Sequence, residues 1–165
     1  MSKRSTWKLN AAITSACVLG FALSYYAYIV EIKKEEDDSY EAMCDISEHI
    51  SCTKLFTSDY GKGFGIIPET SPLYMLNPIY GLIFYALVAI LNVFNKYPTS
   101  ILVVTLGVCA NLGTIYLAYI LYILNNVCVV CVSSYIINAV ILILAVKKHQ
   151  KLSQDGTNKK KKKKN

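Results

Sequence analysis

Cys128-Val129-Val130-Cys131 places two thiols at the i, i+3 spacing that shares one face of a helix. In a soluble protein such a pair suggests a zinc knuckle or a dithiol redox centre. Here it lies within Tyr97 to Val146, a stretch without one Asp, Glu, Lys or Arg. Surroundings of that kind suit lipid, so the chemistry that fits is thiol–disulfide exchange at a membrane. Cys128, at the start of the helix, sits where unpaired amides and the helix dipole favour a thiolate. Tyr135 follows Cys131 at i+4, so Cys128, Cys131 and Tyr135 form one stripe that carries a hydroxyl to depth.

The elements that must position this stripe are helices. The chain has 165 residues, 54% of them hydrophobic, with a mean hydropathy of +0.38. Three uncharged stretches run over Leu9–Val30, Thr70–Asn95 and Tyr97–Val146. About 20 helical residues cross a hydrocarbon core of about 30 Å. The third stretch is twice that length and reads as two spans joined by a turn at Asn125-Asn126. The expected fold is an all-α membrane protein, a four-transmembrane-helix bundle with spans at 9–30, 77–95, 99–124 and 128–146. A cap over 31–76 completes a membrane domain of residues 1–152, and a disordered Lys-rich tail follows over 153–165. The first span is too long for a signal-peptide core and lacks a small-x-small cleavage pattern, so it reads as retained. The run Glu31 to Asp38 reads as a helical extension in solvent, and Pro78 suits the first turn of the second span. Thirteen tyrosines suit interfacial belts and a pocket for an aromatic ligand.

Charge sets the orientation. Lys3, Arg4 and Lys8 flank the first span; Lys147, Lys148, Lys151 and the run Lys159 to Lys164 follow the last. Basic flanks stay cytoplasmic, which puts both termini on that side and the cap and the Asn125-Asn126 turn on the opposite, lumenal side. The net charge of +6 then reflects topology. No aromatic residue interleaves the basic tail, which argues against a nucleic-acid surface. Lys162-Lys163 have the spacing of a dilysine retrieval signal, favouring the endoplasmic reticulum membrane. The same run also reads as a lipid-binding patch or a plain topological anchor.

Six cysteines divide by depth. Cys17 and Cys109 fall mid-span and read as packing. Cys44, Cys52, Cys128 and Cys131 all fall on the lumenal side, where disulfides are permitted. Two inert staples are one reading, although a bridge across a single turn adds little stability. No metal site is expected: the Cys44-to-Cys52 gap is wide for a knuckle, and few polar groups lie near Cys128. The catalytic reading has electrons entering from a soluble protein, passing through the cap cysteines and reaching a lipid-soluble acceptor. Tyr135 and Asn77 offer that acceptor polar contacts; the alternatives are a belt tyrosine and a helix N-cap. Asn111 and Asn138 read as interhelical bonds. His49 reads as an exposed loop residue or a group that tunes a thiol.

Together these residues resemble the vitamin K epoxide reductase family over about Trp7 to Lys148. The resemblance is carried by Cys44-Asp45, Ser51-Cys52, Gly61-Lys62-Gly63-Phe64-Gly65, Asn77-Pro78-Ile79-Tyr80-Gly81, Phe84-Tyr85, Tyr116-Leu117-Ala118, and Cys128-Val129-Val130-Cys131 with Tyr135 and Asn138. It implies an enzyme that reduces vitamin K quinone or its epoxide, with no tightly bound cofactor. Cys131 is then the attacking thiolate and Cys128 its resolving partner; Cys52 exchanges with Cys128, and Cys44 takes electrons from a lumenal thioredoxin-fold protein. Asn77 and Tyr135 bond the two ends of the naphthoquinone ring, Phe56, Tyr80, Phe84 and Tyr85 line its pocket, and coumarin-type inhibitors compete for it. Two departures stand out: Tyr60 replaces the family's usual Trp, and the link from Gly65 to Asn77 is short. The same circuit run as a quinone-dependent disulfide-forming oxidase is the alternative, and a small scaffold with structural disulfides is the non-enzyme one.

Overall fold

The computed structural model describes residues 2–162 except 48, 57 and 59, with the side chains of 2–5 and 157–162 outside the description. Its long elements are α1 (Ser2–Glu36), α3 (Asn77–Val93), α4 (Tyr97–Ile123) and α5 (Val129–Lys162); a single turn, α2 (Thr53–Phe56), lies in the connector between α1 and α3. Helix starts follow local chemistry: Pro98 and Pro78 occupy the first turns of α4 and α3, where a missing N–H costs nothing. Asn125, at φ 47°, takes the left-handed conformation that ends α4 and lets α5 turn back.

Among the described residues, three helical segments are long and apolar enough to cross a membrane: Thr6–Glu36, Tyr97–Ile123 and Val129–Gly156. The fourth apolar helix, Asn77–Val93, is shorter at 17 residues, ending at Val93 where the sequence predicts a span to residue 95. Val18, Leu19, Leu102, Leu112, Ile115, Ile136 and Ile143 project outward bare, as lipid-facing side chains do.

Packing forms two layers. Towards the basic-residue end, Ile13 and Cys17 of α1 meet Tyr85 and Val88 of α3, Val103 of α4, and Ile141 and Ala145 of α5. Towards the other end, Ala27 and Val30 meet Ile120, Leu121, Cys128 and Val130, and the connector's Cys44, Cys52, Leu55 and Phe56 join them. The connector therefore folds onto the bundle end where α1 and α4 finish and α5 begins. Close helix approach needs small residues: a Cβ on Gly20 would fall 2.3 Å from the Tyr85 ring, and one on Gly81 2.5 Å from Ser24 Oγ.

Two expectations change, and one lysine takes an unexpected place. The residues from 153 to 162 continue α5 instead of forming a disordered tail, because a helix already nucleated by an apolar span propagates easily into following residues; residues 163–165, including the second lysine of the dilysine pair, lie outside the described set. Lys148, one of the basic residues that set the orientation, is buried. It is 3% exposed, and its ammonium donates to Asn92 O at 2.7 Å and Asn92 Oδ1 at 2.9 Å, closing the last turn of α3. Asn92 in turn donates to Asn10 O and Thr14 Oγ1, so this one residue ties α3 to α1 and α5. Glu31, assigned to solvent, is 2% exposed, because the connector folds back over the end of α1.

Candidate redox site and its cavity

The thiols are built at a junction. Cys128 is the residue before α5, and its Sγ accepts the Cys131 N–H at 3.2 Å, the geometry of a capping side chain at a helix start. Its sulfur thus faces the unpaired amides of the first turn. Cys128 is fully buried, whereas Cys131 is partly open. Both are free thiols, while Cys44 and Cys52 form a disulfide with a Cα–Cα distance of 5.8 Å. Cys52, also fully buried, belongs to the same packed cluster as Cys128. Tyr26 directs its hydroxyl to Cys44 Sγ at 3.9 Å.

Asp45 fixes the Cys52 turn. Its Oδ1 accepts from Ser51 Oγ (2.6 Å), Cys52 N (2.8 Å) and Thr53 N (3.1 Å); its Oδ2 accepts from Ala42 N and Thr53 Oγ1, both at 2.9 Å. Partial burial opposes ionisation, but these bonds, led by that from Ser51, outweigh it and hold the carboxyl at about 2. Asn126 performs a parallel task. Its amide brackets the Ser51 backbone, accepting from Ser51 N at 3.1 Å and donating to Ser51 O at 2.6 Å. The chain on either side adds Val127 N to His49 O at 2.7 Å and Ser51 N to Val127 O at 3.1 Å. His49 itself is exposed and bonds the Asn125 carbonyl.

Below the sulfurs lies a cavity of about 680 Å³ to which all four long helices contribute. Cys131 and Tyr135 stand on its α5 wall, Asn77, Tyr80, Phe84 and Tyr85 on α3, and Phe56 on the connector. Cys128, Cys52 and Cys44 do not line it. The cavity therefore gathers seven of the ten residues singled out from the sequence and leaves three sulfurs behind its wall. Tyr135 Oη is buried with no hydrogen-bond partner. Deeper polar groups are satisfied: Tyr85 donates to Asn138 Oδ1 at 2.9 Å, and Asn138 donates to Thr114 Oγ1 at 3.1 Å. Asn111 bonds Asn138 O across helices, as the sequence predicts. Cys109, expected to pack like the buried Cys17, is exposed and lines the cavity instead, since α4 turns that face to the opening.

Asn77 does not cap α3. Its Oδ1 accepts Phe64 N–H at 2.9 Å and its Nδ2 donates to Tyr60 O at 2.6 Å, so its amide holds the glycine loop. Gly63 and Gly65 take φ of 55° and 68°, and Phe64 between them is left-handed at 58°. A bulky residue keeps that conformation only when over-determined. Tyr116 supplies the second restraint by donating to Phe64 O at 3.1 Å, and the Phe64 ring packs on Tyr80 at 5.0 Å between centroids. The loop becomes a fixed wall of the cavity. Tyr60 packs its ring against Gly65, where a Cβ would fall 2.5 Å away.

Sequence reasoning passed over Asp45 as a structural clamp, Asn126 as a bracket and Glu31 as a buried acid. Adjacency to Cys44 and to the Asn125 turn was the available signal for the first two. No described group of three or more His, Cys, Asp or Glu side chains has the arrangement to hold a metal.

The family model for the vitamin K epoxide reductase family matches residues 11–146. The chain belongs to that family. Among curated proteins it is 35% identical over 150 residues to vitamin K epoxide reductase complex subunit 1 of Mus musculus, covering 87% of this chain and 93% of that protein. It is 34% identical, over the same shares, to the subunit of that name from Rattus norvegicus. The matched region takes in α3, α4, the connector and the apolar parts of α1 and α5, and so every residue of the cavity.

Proposed function

We propose that this protein is a membrane oxidoreductase that reduces vitamin K quinone, or its epoxide, with electrons from thiols. The observation that carries this reading is one apolar cavity with Cys131 on its wall and the unpartnered Tyr135 hydroxyl one turn away. A thiol that opens on a lipid-like pocket, with a second thiol buried behind it, suits a planar, apolar electron acceptor. Cys131 attacks the ring; Cys128 then displaces the ring carbon from sulfur and forms the Cys128–Cys131 disulfide. With a quinone the products are hydroquinone and disulfide; with an epoxide they are quinone, water and disulfide. Tyr135 donates to one ring oxygen, and the second Asn77 N–H serves the other. A thioredoxin-fold partner reduces Cys44–Cys52 with its own dithiol; the freed Cys52 then attacks Cys128 through the packed cluster they share, releasing Cys131 as a thiol, and Cys44 displaces Cys128 and re-forms Cys44–Cys52.

The basic ends favour a cytoplasmic side for both termini and a lumenal side for the sulfurs, with α3 as a short fourth span in the endoplasmic reticulum membrane. Coumarin-type compounds, flat and apolar, suit the same cavity. The Cys44–Cys52 bridge, already formed, also favours a second reading in which that disulfide is delivered to lumenal proteins and the quinone is the electron sink. Purified protein with dithiothreitol and vitamin K quinone or epoxide tests the first. Turnover should vanish in Cys131→Ala while dithiothreitol still reduces Cys44–Cys52. A Cys131→Ala protein that turns over quinone at the wild-type rate would refute the assignment.

A further inference from the structure

The two halves of the Cys44–Cys52 bridge differ: Cys44 keeps 8% exposure and Cys52 none, so Cys44 is the half that meets the surface. The surface beside it is bare and apolar. Met43, the residue before Cys44, is 92% exposed, and Ile46, two residues after it, is 68% exposed. Ile46 N donates to Ile50 O at 2.8 Å, and Ile50 bridges to Val127, itself 49% exposed, so Ile46 and Val127 flank the same residue. Apolar side chains grouped on a surface in this way mark contact sites. The charge there is one-sided as well. Ten of the chain's eleven carboxylates fall between residues 31 and 69, against four lysines, a net −6 within a chain of net +6. Glu36, Asp37, Asp38 and Glu41 all stand exposed in the eight residues before Cys44. The two lysines just ahead of them are engaged locally: Lys34 Nζ donates to Asp38 O and Tyr40 O, and Lys33 Nζ lies 5.6 Å from the Tyr40 ring centre. Two successive turns, closed by Tyr40 N to Asp37 O at 3.0 Å and Asp45 N to Ala42 O at 2.9 Å, keep this run compact. The Tyr40 ring packs on the cluster that holds Cys44. Three residues of chain put Glu41 within about 11 Å of Cys44, about one Debye length at 0.1 M salt.

We propose that this face is the docking surface of the dithiol protein that reduces Cys44–Cys52, and that the partner meets it with an apolar contact beside its reactive cysteine and a basic rim. The inference rests on the reading above, in which a protein dithiol feeds this bridge. A lipid surface is the other occupant for bare apolar side chains. The carboxylates around them disfavour it, because anionic headgroups repel them and a carboxylate near hydrocarbon is costly. In the docked pair the partner's thiolate attacks Cys44 Sγ, and Cys52 leaves, taking up the proton that the partner's thiol gave up. The partner's second thiol then displaces Cys44, which leaves with that thiol's proton. The bridge has gained two electrons and two protons, and the partner's dithiol has become a disulfide. Carboxylates around the entry draw in a basic partner and turn away an acidic one, which acts on the encounter rate.

The test uses the full chain in phosphatidylcholine nanodiscs with Cys44–Cys52 oxidised. The probes are two synthetic peptides that share one Cys-x-x-Cys core with a tryptophan beside it, one flanked by lysines and the other by glutamates. Opening of the bridge is followed by alkylation and mass spectrometry. Each peptide's rate is divided by its rate with hydroxyethyl disulfide, which removes differences in intrinsic thiol reactivity. At about 10 mM salt the basic peptide should be at least about tenfold faster, and the gap should close to about twofold at about 0.5 M. Asp38→Lys combined with Glu41→Lys should bring the two peptides to within about twofold of each other at low salt. Met43→Ser combined with Ile46→Ser should slow both roughly fivefold, the scale of losing one good contact. Dithiothreitol, small and neutral, should open the bridge at the wild-type rate throughout. Peptides of equal rate on wild type, or a ratio that charge reversal leaves unmoved, overturn the proposal. So does a Met43/Ile46 variant slowed equally with dithiothreitol, which would make that pair a packing or lipid contact. The salt dependence needs no variant and decides the matter if a variant does not fold. If the peptide ranking holds and the protein reduces no vitamin K quinone, the functional reading fails at its acceptor and the docking surface stands.

Discussion

Replacing Asp45 by Asn removes a charge while keeping the shape, and the structure sets the size of the effect. In the wild type Oδ1 accepts three hydrogen bonds and Oδ2 two. An Asn keeps one acceptor oxygen, best left at the Oδ1 position, and turns Oδ2 into an NH2 group facing the Ala42 N–H and the Thr53 hydroxyl. Two bonds to a charged acceptor are lost, each worth about 1.5–3 kcal/mol, and the Ala42 N–H is left facing a donor, while the Thr53 hydroxyl recovers part of its share by turning to accept from the new NH2. Asp45 is only partly buried, so water relieves a share of this. A net destabilisation of the Cys52 turn of about 2–3 kcal/mol follows. At about 1.4 kcal/mol per tenfold, the opened population rises roughly 30- to 150-fold.

Amide hydrogen exchange reads that population at the Cys52 and Thr53 N–H groups, both bonded to Oδ1. Protection there should fall by the same factor, while the amides at the centres of α4 and α5 keep theirs. Reduction of Cys44–Cys52 by dithiothreitol should speed up in parallel, because the buried sulfur of Cys52 becomes reachable. Protection at Cys52 and Thr53 changed by less than about threefold would refute the clamp.

The same carboxyl sets an acid limit. Its folded value, about 2, lies below the unfolded value of about 3.9, so its contribution is complete above that and is lost as pH falls through 2. Protection of Cys52 should decline between about pH 4 and 2 in wild type and stay flat over that range in Asp45→Asn; a flat wild type would count against the clamp. Tyr135→Phe removes a hydroxyl with no partner in the protein, so thermal stability should hold or rise while naphthoquinone affinity falls roughly 2- to 10-fold; unchanged affinity would remove Tyr135 from the recognition scheme. Asn126→Ala breaks both bonds to Ser51, and should slow electron transfer from a protein dithiol while leaving direct dithiothreitol reduction of the Cys128–Cys131 disulfide intact. Equal losses in the two assays would make Asn126 a folding residue only.

Uncharged run length made the long helices legible, because apolar stretches in lipid must satisfy their backbone internally and only helices do so within one segment. The grouping of Phe56, Asn77, Tyr80, Phe84, Tyr85, Cys131 and Tyr135 around one cavity was legible through motif spacing and the family resemblance together. The connector was not. It has little regular structure, so its backbone groups find side chains instead, and which ones depends on how the chain returns across the helix ends. Glu31 shows the difficulty: it opens a charged run that reads as solvated, yet it is buried at the end of α1 against which the connector packs. Asn77 shows it differently. A residue at a helix start reads as a cap, yet its amide is spent on a left-handed Phe64 thirteen residues earlier.

What those connector bonds achieve is register between sulfurs. Cys52 and Cys128 belong to elements 76 positions apart in sequence, and apolar packing alone tolerates small slides between such elements. Three polar devices remove that freedom. Asp45 fixes the turn that carries Cys52, Asn126 brackets Ser51 beside it, and Val127 pairs with His49 and Ser51 on the approach to Cys128. Each bond lands within two residues of a sulfur, on residues that do not line the cavity. Disulfide exchange needs close sulfur–sulfur approach in a fixed direction, whereas an apolar ligand in a roomy pocket does not. The molecule thus holds its cysteine pairs in place chiefly by directional hydrogen bonds, whereas its cavity rests chiefly on helix packing, with polar bonds reserved for the glycine loop that Asn77 and Tyr116 pin and for the Tyr85–Asn138–Thr114 chain. That division accounts for the dense polar network around Cys52 and the largely apolar wall around Cys131.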